Sequence, residues 1–397
     1  MRIDDGLRKL KPPALGPFRE GAFNSPVHEA RTAAWLGVAL GVSFTVCFLT
    51  GLFSHLIQHP PSWFANPARP VWLFRVTQGV HVATGIASIP LLLAKLWTVY
   101  PHFFTMPPLR SVAHLIERMS LLPLVGGSVF LLFSGIASIS KWFPFGFSFP
   151  PGHYAAAWIT VGALAVHVGA KAGATRLALT RRGRETEGAA RAAERDDGGL
   201  TRRGFLWTAA GASGLLTLTT VGQTFRPLSW ISVLAPRDPT AGPQGVPVNK
   251  TARSAGVIEV ATSAEYRLAV EGRVTTPLSL SLQDLHAMSQ RDAGLPIACV
   301  DGWSVSAAWR GVPLRDLLVA AGAAPGATVV IESLQDQRAP YSSAEVGGDQ
   351  LSDPDTLLAL ELNGAPLDID HGFPVRLIGP NRPGVLQTKW VAKVVVA

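Results

Sequence analysis

Cysteine is nearly absent: two of 397 residues, Cys47 and Cys299. Cys47 lies in an apolar run near the N-terminus and Cys299 in a polar stretch of the other half. The two cannot meet, which excludes an intramolecular disulfide. Charge is scarce as well. Only 16% of residues are Asp, Glu, Lys or Arg, where a soluble protein carries about 25%. The excess of basic residues, net +8, gathers at the ends of apolar runs. That placement is a topology signal and argues against a nucleic-acid-binding face. No short-period repeat is visible.

Apolar residues are abundant before residue 225 and thin out into short alternating runs after it. Five runs approach the roughly 20 residues that span a bilayer: 33–57, 72–97, 119–139, 154–177 and 205–223. Basic residues precede the first run (Arg2, Arg8, Lys9, Lys11, Arg19, Arg31) and crowd between the fourth and fifth (Lys171 to Arg203). The loops 58–71 and 140–153 carry only Arg69 and Lys141. The positive-inside rule therefore predicts a cytoplasmic N-terminus and an extracytoplasmic C-terminal part at the cell (inner) membrane.

The predicted organisation is a cytoplasmic segment 1–32, a four-helix membrane domain 33–180, a cytoplasmic linker 181–204, a fifth transmembrane helix 205–223, a tether 224–244 and a soluble domain 245–397. The linker mixes both charge signs with Gly and Ala and ends in TRRGFL (201–206). This looks like a twin-arginine export signal retained as an anchor. Such a route suits a domain that must fold around a bulky cofactor before it crosses. The last domain reads as mixed α+β, with strands expected at 258–261, 266–274, 328–334, 375–379 and 390–396, and helices at 280–288 and 314–322.

Cys299 stands in IACVDGWSVSAAWRGVPL (297–314), a stretch read as a Gly/Trp-rich loop. An unpaired cysteine there is a buried inert thiol, a nucleophile or a metal ligand. A nucleophile wants a nearby base, and this domain offers only His286 and His371, with no local cysteine-hydrolase signature. A polarisable thiolate also suits a transition metal.

Five segments in order carry a resemblance: VPVNKTA (246–252), LAVEGRVTTPLSLSLQDL (268–285), CVDGWSVSAAWRGVPLRDLL (299–318), LLALELNGAPLDIDHGFPVRLIGP (357–380) and PGVLQTKWV (383–391). Together they resemble the molybdopterin-binding domain of the sulfite oxidase superfamily, in the branch of protein-methionine-sulfoxide reductase catalytic subunits. The resemblance implies that Cys299 binds molybdenum and is the catalytic residue. It implies that Asn249 and Thr251 contact the cofactor near the metal, and that Arg376, Asn381, Arg382, Gln387 and Lys389 grip the pterin phosphate. Guanidinium forks and turn amides suit a phosphate. The substrate arginines of sulfite oxidases have no confident counterpart, Arg310 being a candidate. The chain stops after the last expected strand, where sulfite oxidases continue into a dimerisation domain, so a monomeric catalytic unit is expected.

Seven of the ten histidines lie between residues 55 and 167. Ionisable groups inside a membrane are costly and usually functional. The four-helix run with histidines on helices 1, 2 and 4 resembles small b-type cytochromes that serve molybdenum enzymes, which implies haem b between facing imidazoles. His81 and His167 are the first candidates for the haem iron, with His55 and His153 next. Gly85, Gly135 and Gly162 would admit close approach. Lys95 stands where a second-level ligand would be, so one haem is expected rather than two. His28, His59, His102 and His114 read as interfacial.

The expected function is oxygen-atom transfer outside the cytoplasm, reducing a sulfoxide or similar oxide with electrons from membrane quinol through haem b. Alternatives are oxidation of a sulfur compound such as sulfite with electrons passed to quinone, a haem-free membrane-tethered molybdoenzyme, and a molybdopterin fold that only binds. The expected partners are quinone, lipid and a small-molecule substrate, with no nucleic acid.

Overall fold

The computed structural model describes residues 16–17, 23, 25–104, 112–180 and 201–397. Most of the expected segment 1–32 and nearly all of the linker 181–204 lie outside the described residues. The chain divides into two compact units. One holds the described residues up to Leu49 together with His81–Thr219; the other holds Thr50–Val80 and Thr220–Ala397. The linear domain plan has no counterpart to this second grouping, in which the hairpin end between the first two long helices joins the C-terminal domain.

Five helices among the described residues are long and apolar enough to cross a membrane: α1 (Ala30–Gln58), α2 (Leu73–Val99), α3 (Val112–Ile139), α4 (Phe149–Leu179) and α5 (Arg202–Val221). Several exceed the apolar runs. α4 starts at Phe149 because Pro150 and Pro151 occupy its first turn, where a missing N–H is no loss. α3 and α4 approach closely: a Cβ at Gly127 would collide with Thr160 of α4, the small-residue contact expected between apolar helices. Ser213 of α5 donates to the Ala87 carbonyl (2.9 Å). Lys95 donates from Nζ to the Ala33 carbonyl at the start of α1 (2.7 Å), which gives this intramembrane ammonium a local partner.

The second unit carries two sheets. One has the order β2-β1-β10-β5-β6, built from β1 (Leu268–Gly272), β2 (Leu278–Leu280), β5 (Val329–Ser333), β6 (Ser343–Val346) and β10 (Val391–Val396). Its β1–β10 pair is parallel and the rest antiparallel. The other runs β3-β4-β7-β8, from β3 (Arg291–Ala298), β4 (Ser304–Pro313), β7 (Leu357–Leu362) and β8 (Ala365–Pro366), with β9 (Arg376–Ile378) also on β7. Short helices α6 (Ala252–Ala255), α7 (Ile258–Thr262), α8 (Leu282–Ala287), α9 (Leu314–Ala320) and α10 (Gly348–Ser352) connect them. Leu268, Val270, Leu314, Leu317, Ile331 and Val394 fill one core; Leu295, Trp309, Leu357 and Ile378 fill another.

Two local expectations fail. Residues 258–261, expected as a strand, form α7, because Ala261 and Val257 pack with Ala252 under Trp390; four apolar residues do not by themselves distinguish strand from helix. The supposed loop after Cys299 is mostly β4. Val305, Ala307 and Trp309 point inward while Ser306, Ala308 and Arg310 are exposed, the period-2 alternation of a strand.

The hairpin end 59–72 and the first turns of α2 are bound into this unit. Arg69 makes two bonds to Asp353 (2.8 and 3.0 Å) and one to Asp355 (2.5 Å), and Arg291 also reaches Asp355 (2.8 Å). Burial pushes the Asp355 carboxyl up, but the hydrogen bonds from Arg291 and Arg69 outweigh it and hold it below the usual carboxylate range. Ile57 and Phe74 pack on Ala298, with Phe53, Phe64 and Val300 around them. Asn381 caps α2: its Oδ1 accepts from the Phe74 amide (2.7 Å) and its Nδ2 donates to the Pro67 carbonyl (2.7 Å). Asn381→Ala should therefore cost about 1 kcal/mol, the usual worth of a helix cap, and speed amide hydrogen exchange in peptides covering residues 73–78.

Candidate active site

β3 ends at Ala298 and the next residue is Cys299. Its amide donates to the Trp303 carbonyl (2.9 Å) and its carbonyl accepts from Gly302 (3.0 Å). Gly302 takes a left-handed φ of 92°, which a side chain would resist. The resulting tight turn aims the sulfur into a cavity instead of along the sheet. Cys299 is buried, with Asn249 Nδ2 donating to its sulfur (2.9 Å) and to Asp301 Oδ2 (2.9 Å), while the thiol donates to the same carboxylate oxygen (3.2 Å).

The cavity around this sulfur is lined by Asn249, Trp303, Tyr341, Arg376, Gln387 and Lys389, among others. Arg376, on β9, is buried. It donates to the His371 carbonyl (3.1 Å), and its guanidinium lies 5.5 Å from the Trp309 ring centre. Burial pulls its pKa down to about 9. Lys389 donates to the carbonyls of Lys250 (3.0 Å) and Asp370 (2.6 Å). Burial, and then Arg376, pull its pKa down to about 7. Lys250 in turn donates to Gln335.

Four polar atoms of the lining residues are buried without a hydrogen-bond partner among the described residues: Arg376 Nε, Gln387 Oε1, Thr388 Oγ1 and Trp303 Nε1. Each such atom costs free energy unless a ligand completes it. Buried cations with unmet donors and acceptors fit a polar ligand with an anionic end. A soft sulfur in the same cavity fits a metal carried by that ligand. A molybdenum–pterin group has both properties.

Four of the residues expected from sequence, Asn249, Arg376, Gln387 and Lys389, line the cavity with Cys299. Three do not. Thr251 caps α6, its Oγ1 accepting from the Ser254 amide (3.2 Å). Arg382 spends its guanidinium on the carbonyls of Glu345 (3.0 Å) and Leu386 (3.1 Å). Asn381 caps α2. Arg310 pairs with Asp292 (3.2 Å) on the surface. Among the described residues no histidine lines the cavity. His286 is exposed on α8, and His371 meets the Pro243 carbonyl (2.8 Å), with burial and then Arg376 pulling its pKa to about 4. Neither histidine of this domain is placed to serve Cys299 as a base.

Sequence reasoning missed Asp301, Trp303, Tyr341 and Thr388. Asp301 stands two residues from Cys299 and was within reach of a closer reading. Tyr341 was not: it reaches the cavity through a left-handed φ of 61°. Burial, then Cys299 and Asp301, push its hydroxyl pKa up.

In the helical unit, the rings of His81 (α2) and His153 (α4) lie 6.3 Å apart at 73°. Two imidazoles sharing one metal at about 2 Å each hold their ring centres roughly this far apart. Each Nδ1 is already engaged, with the Cys47 carbonyl (2.8 Å) and with Ser134 Oγ (2.8 Å) respectively. That is the outer support that orients an imidazole and leaves Nε2 for a metal. Gly135 stands against the His153 ring. His167 lies further along α4, and His55 stacks on His59 (4.7 Å). The two candidate imidazoles that the fold brings together are those of His81 and His153.

The lysine supplies a pH test of the cavity. The folded value for Lys389, about 7, lies below the value of about 10.4 for an unfolded chain. Between those values the unfolded state binds more protons, so stability rises with pH. Ligand-free protein should gain thermal stability from pH 7 toward 10, with the penalty fully present below 7. Lys389→Met should flatten that rise, and an anionic ligand should reverse it.

Residues 255–397 match the family model of the oxidoreductase molybdopterin binding domain. A protein named as a subunit of protein-methionine-sulfoxide reductase in Azospira oryzae is 33% identical over 129 residues, 32% of this chain and 48% of that one. Sulfite oxidase of Gallus gallus is 34% identical over 161 residues, 34% of this chain and 35% of that one. Mitochondrial sulfite oxidase of Homo sapiens is 33% identical over 157 residues, 33% and 29% of the two chains. The crystal structure of sulfane dehydrogenase from Paracoccus pantotrophus matches with a TM-score of 0.35 and 26% identity over 40% of this chain and 44% of that one. The chain spans less than half the length of each of these relatives. Residues 255–397 match an oxidoreductase molybdopterin binding domain, and the chain is similar to sulfite oxidases over a comparable length.

Proposed function

We propose that the protein is a membrane-anchored molybdenum oxidoreductase that reduces a small sulfoxide or similar oxide on the extracytoplasmic side. The observation that carries this reading is the cavity itself: Cys299 shares it with buried Arg376, half-buried Lys389 and four unmet polar atoms. Molybdenum on a pterin, when bound, supplies oxygen-atom transfer. In this reading Cys299 holds the metal through sulfur and Asn249 orients that sulfur. Arg376 and Lys389 neutralise the pterin phosphate, and Gln387, Thr388 and Trp303 complete its polar edges.

Asp301 favours a neutral substrate. Its carboxylate is bonded at the sulfur, so an anion such as sulfite approaching the same point meets like charge, whereas a sulfoxide does not. In this reading Tyr341, at the exposed side of the cavity lining, donates its hydroxyl to a substrate oxygen. Reduction needs electrons from elsewhere, and membrane quinol is the donor in this reading. Haem b, when bound, supplies one-electron transfer. His81 and His153 are the residues whose spacing and supported Nδ1 atoms suit it. Orientation rests on the basic flanks, and the route of export on Arg202 and Arg203 in the first turn of α5.

The deciding experiment reduces the purified full-length protein anaerobically with a quinol analogue, records haem b bands, and then adds methionine sulfoxide. Loss of the reduced bands is expected. Bands that stay reduced would point to oxidation of a sulfur compound such as sulfite, and absence of bands to a haem-free tether. Cys299→Ser should lower turnover by more than the roughly 10–100-fold that loss of a residue supporting a metal ligand costs. His81→Ala and His153→Ala should each abolish the haem bands, while His167→Ala should retain them.

A further inference from the structure

The turn that carries Cys299 closes two of its own backbone hydrogen bonds, Cys299 N–H to the Trp303 carbonyl and Gly302 N–H to the Cys299 carbonyl. Two further backbone groups of the turn, and the first of β4, are met from outside the α+β domain. Gln78, on α2, donates from Nε2 to the Val300 carbonyl (2.5 Å). Thr224 Oγ1, just past α5, donates to the Gly302 carbonyl. The Gln223 carbonyl accepts from the Ser304 amide (2.9 Å). Ile57 and Phe74 pack on Ala298 immediately before the cysteine. Every one of these outside groups lies in 50–80 or 220–224, segments contiguous with the long apolar helices.

Gln78 is an expensive way to fill that position. It is 6% exposed, and its Oε1 has no partner among the described residues. A buried amide with an unmet acceptor is less stable than an apolar side chain of the same size. Packing therefore does not account for a glutamine here, whereas the bond to Val300 does. The position is also held firmly. Asn381 caps the same helix four residues earlier at Phe74, and a Cβ at Gly79 would collide with the Thr224 side chain, so α2 and Thr224 are in close contact.

The geometry points to Gln78 and Thr224 as positioning residues that set the Cys299 sulfur from outside the catalytic domain. This rests on the reading of that sulfur as the metal ligand. The two side chains pin the carbonyls on either side of Asp301, and with them the direction in which the sulfur and its carboxylate neighbour face. Misplacement of a reacting group by about 1 Å costs up to roughly 100-fold in rate. The braces are therefore expected to act on turnover and not on substrate affinity.

The test uses the full-length, molybdenum-loaded protein in detergent. Gln78→Met keeps the length and the apolar stem and removes the donor; Thr224→Val does the same at the second brace. Each variant is measured for amide hydrogen exchange in peptides covering 299–304, for molybdenum content, for the Mo(V) electron paramagnetic resonance spectrum, and for kcat and KM with methionine sulfoxide. Expected are faster exchange in the turn, retained molybdenum, a shifted Mo(V) spectrum, and kcat lowered about tenfold at unchanged KM. Unchanged exchange would overturn the proposal. So would faster exchange with a wild-type Mo(V) spectrum and kcat, because the braces would then be structural only. Should Gln78→Met fail to fold, Thr224→Val decides by the same readouts. Wild-type protein that holds no molybdenum defeats the functional reading instead, and the exchange comparison still reports on the braces.

Discussion

A turn of five residues, 299–303, has to do two things that conflict. It must turn a sulfur toward a cavity, and it must meet its buried backbone groups. The turn closes two such bonds within itself, and others come from neighbours. Much of the second unit is arranged around that demand. The β3–β4 hairpin fixes where the turn begins and ends. Asn249 and Asp301 hold the thiol from the cavity side, and the ends of the long helices hold the carbonyls from behind. The cavity then collects positive charge where the domain can least solvate it. Arg376 and Lys389 are tolerable because each leans on backbone carbonyls and lies against an indole face.

The stabilities of the two kinds of contact differ. The Arg69 fork to Asp353 and Asp355 is half exposed on the arginine side, so water and salt screen it and its net worth is small. The Asn381 cap and the packing of Ile57 and Phe74 on Ala298 are buried and unscreened. Docking of the hairpin end thus rests on shape and hydrogen bonding, and the ion pairs contribute mainly direction.

The amphipathic logic of the chain was open to reading in the sequence where signals are local. Apolar runs and their basic flanks located the long helices, and the segments around Cys299, Arg376, Gln387 and Lys389 located the cavity. Signals that depend on distant partners were not legible. Asn381 sits in the turn-rich PNRPG stretch, which reads as a phosphate loop; its actual partners are 307 and 314 residues away at Phe74 and Pro67. Arg382 looks like its neighbours in sequence, yet backbone carbonyls claim its guanidinium before any ligand does. Among the histidines of the long apolar helices, the sequence reading put His167 before His153. α4 begins at Phe149, so His153 already lies inside it, with its ring near that of His81. The strand after Cys299 was hidden because its alternation is spelled in Ser and Ala as well as in Val and Trp.

The cap on α2 carries a consequence for how the molecule is made. Ribosomes release Phe74 long before Asn381, 307 residues later in the chain. The first turn of α2 therefore waits with an open amide throughout synthesis of the rest. It is completed only when β9 and the segment behind it have folded. The finished start of the second helix thus depends on the last domain, and a nascent chain that ends before residue 381 lacks the side chain that caps it.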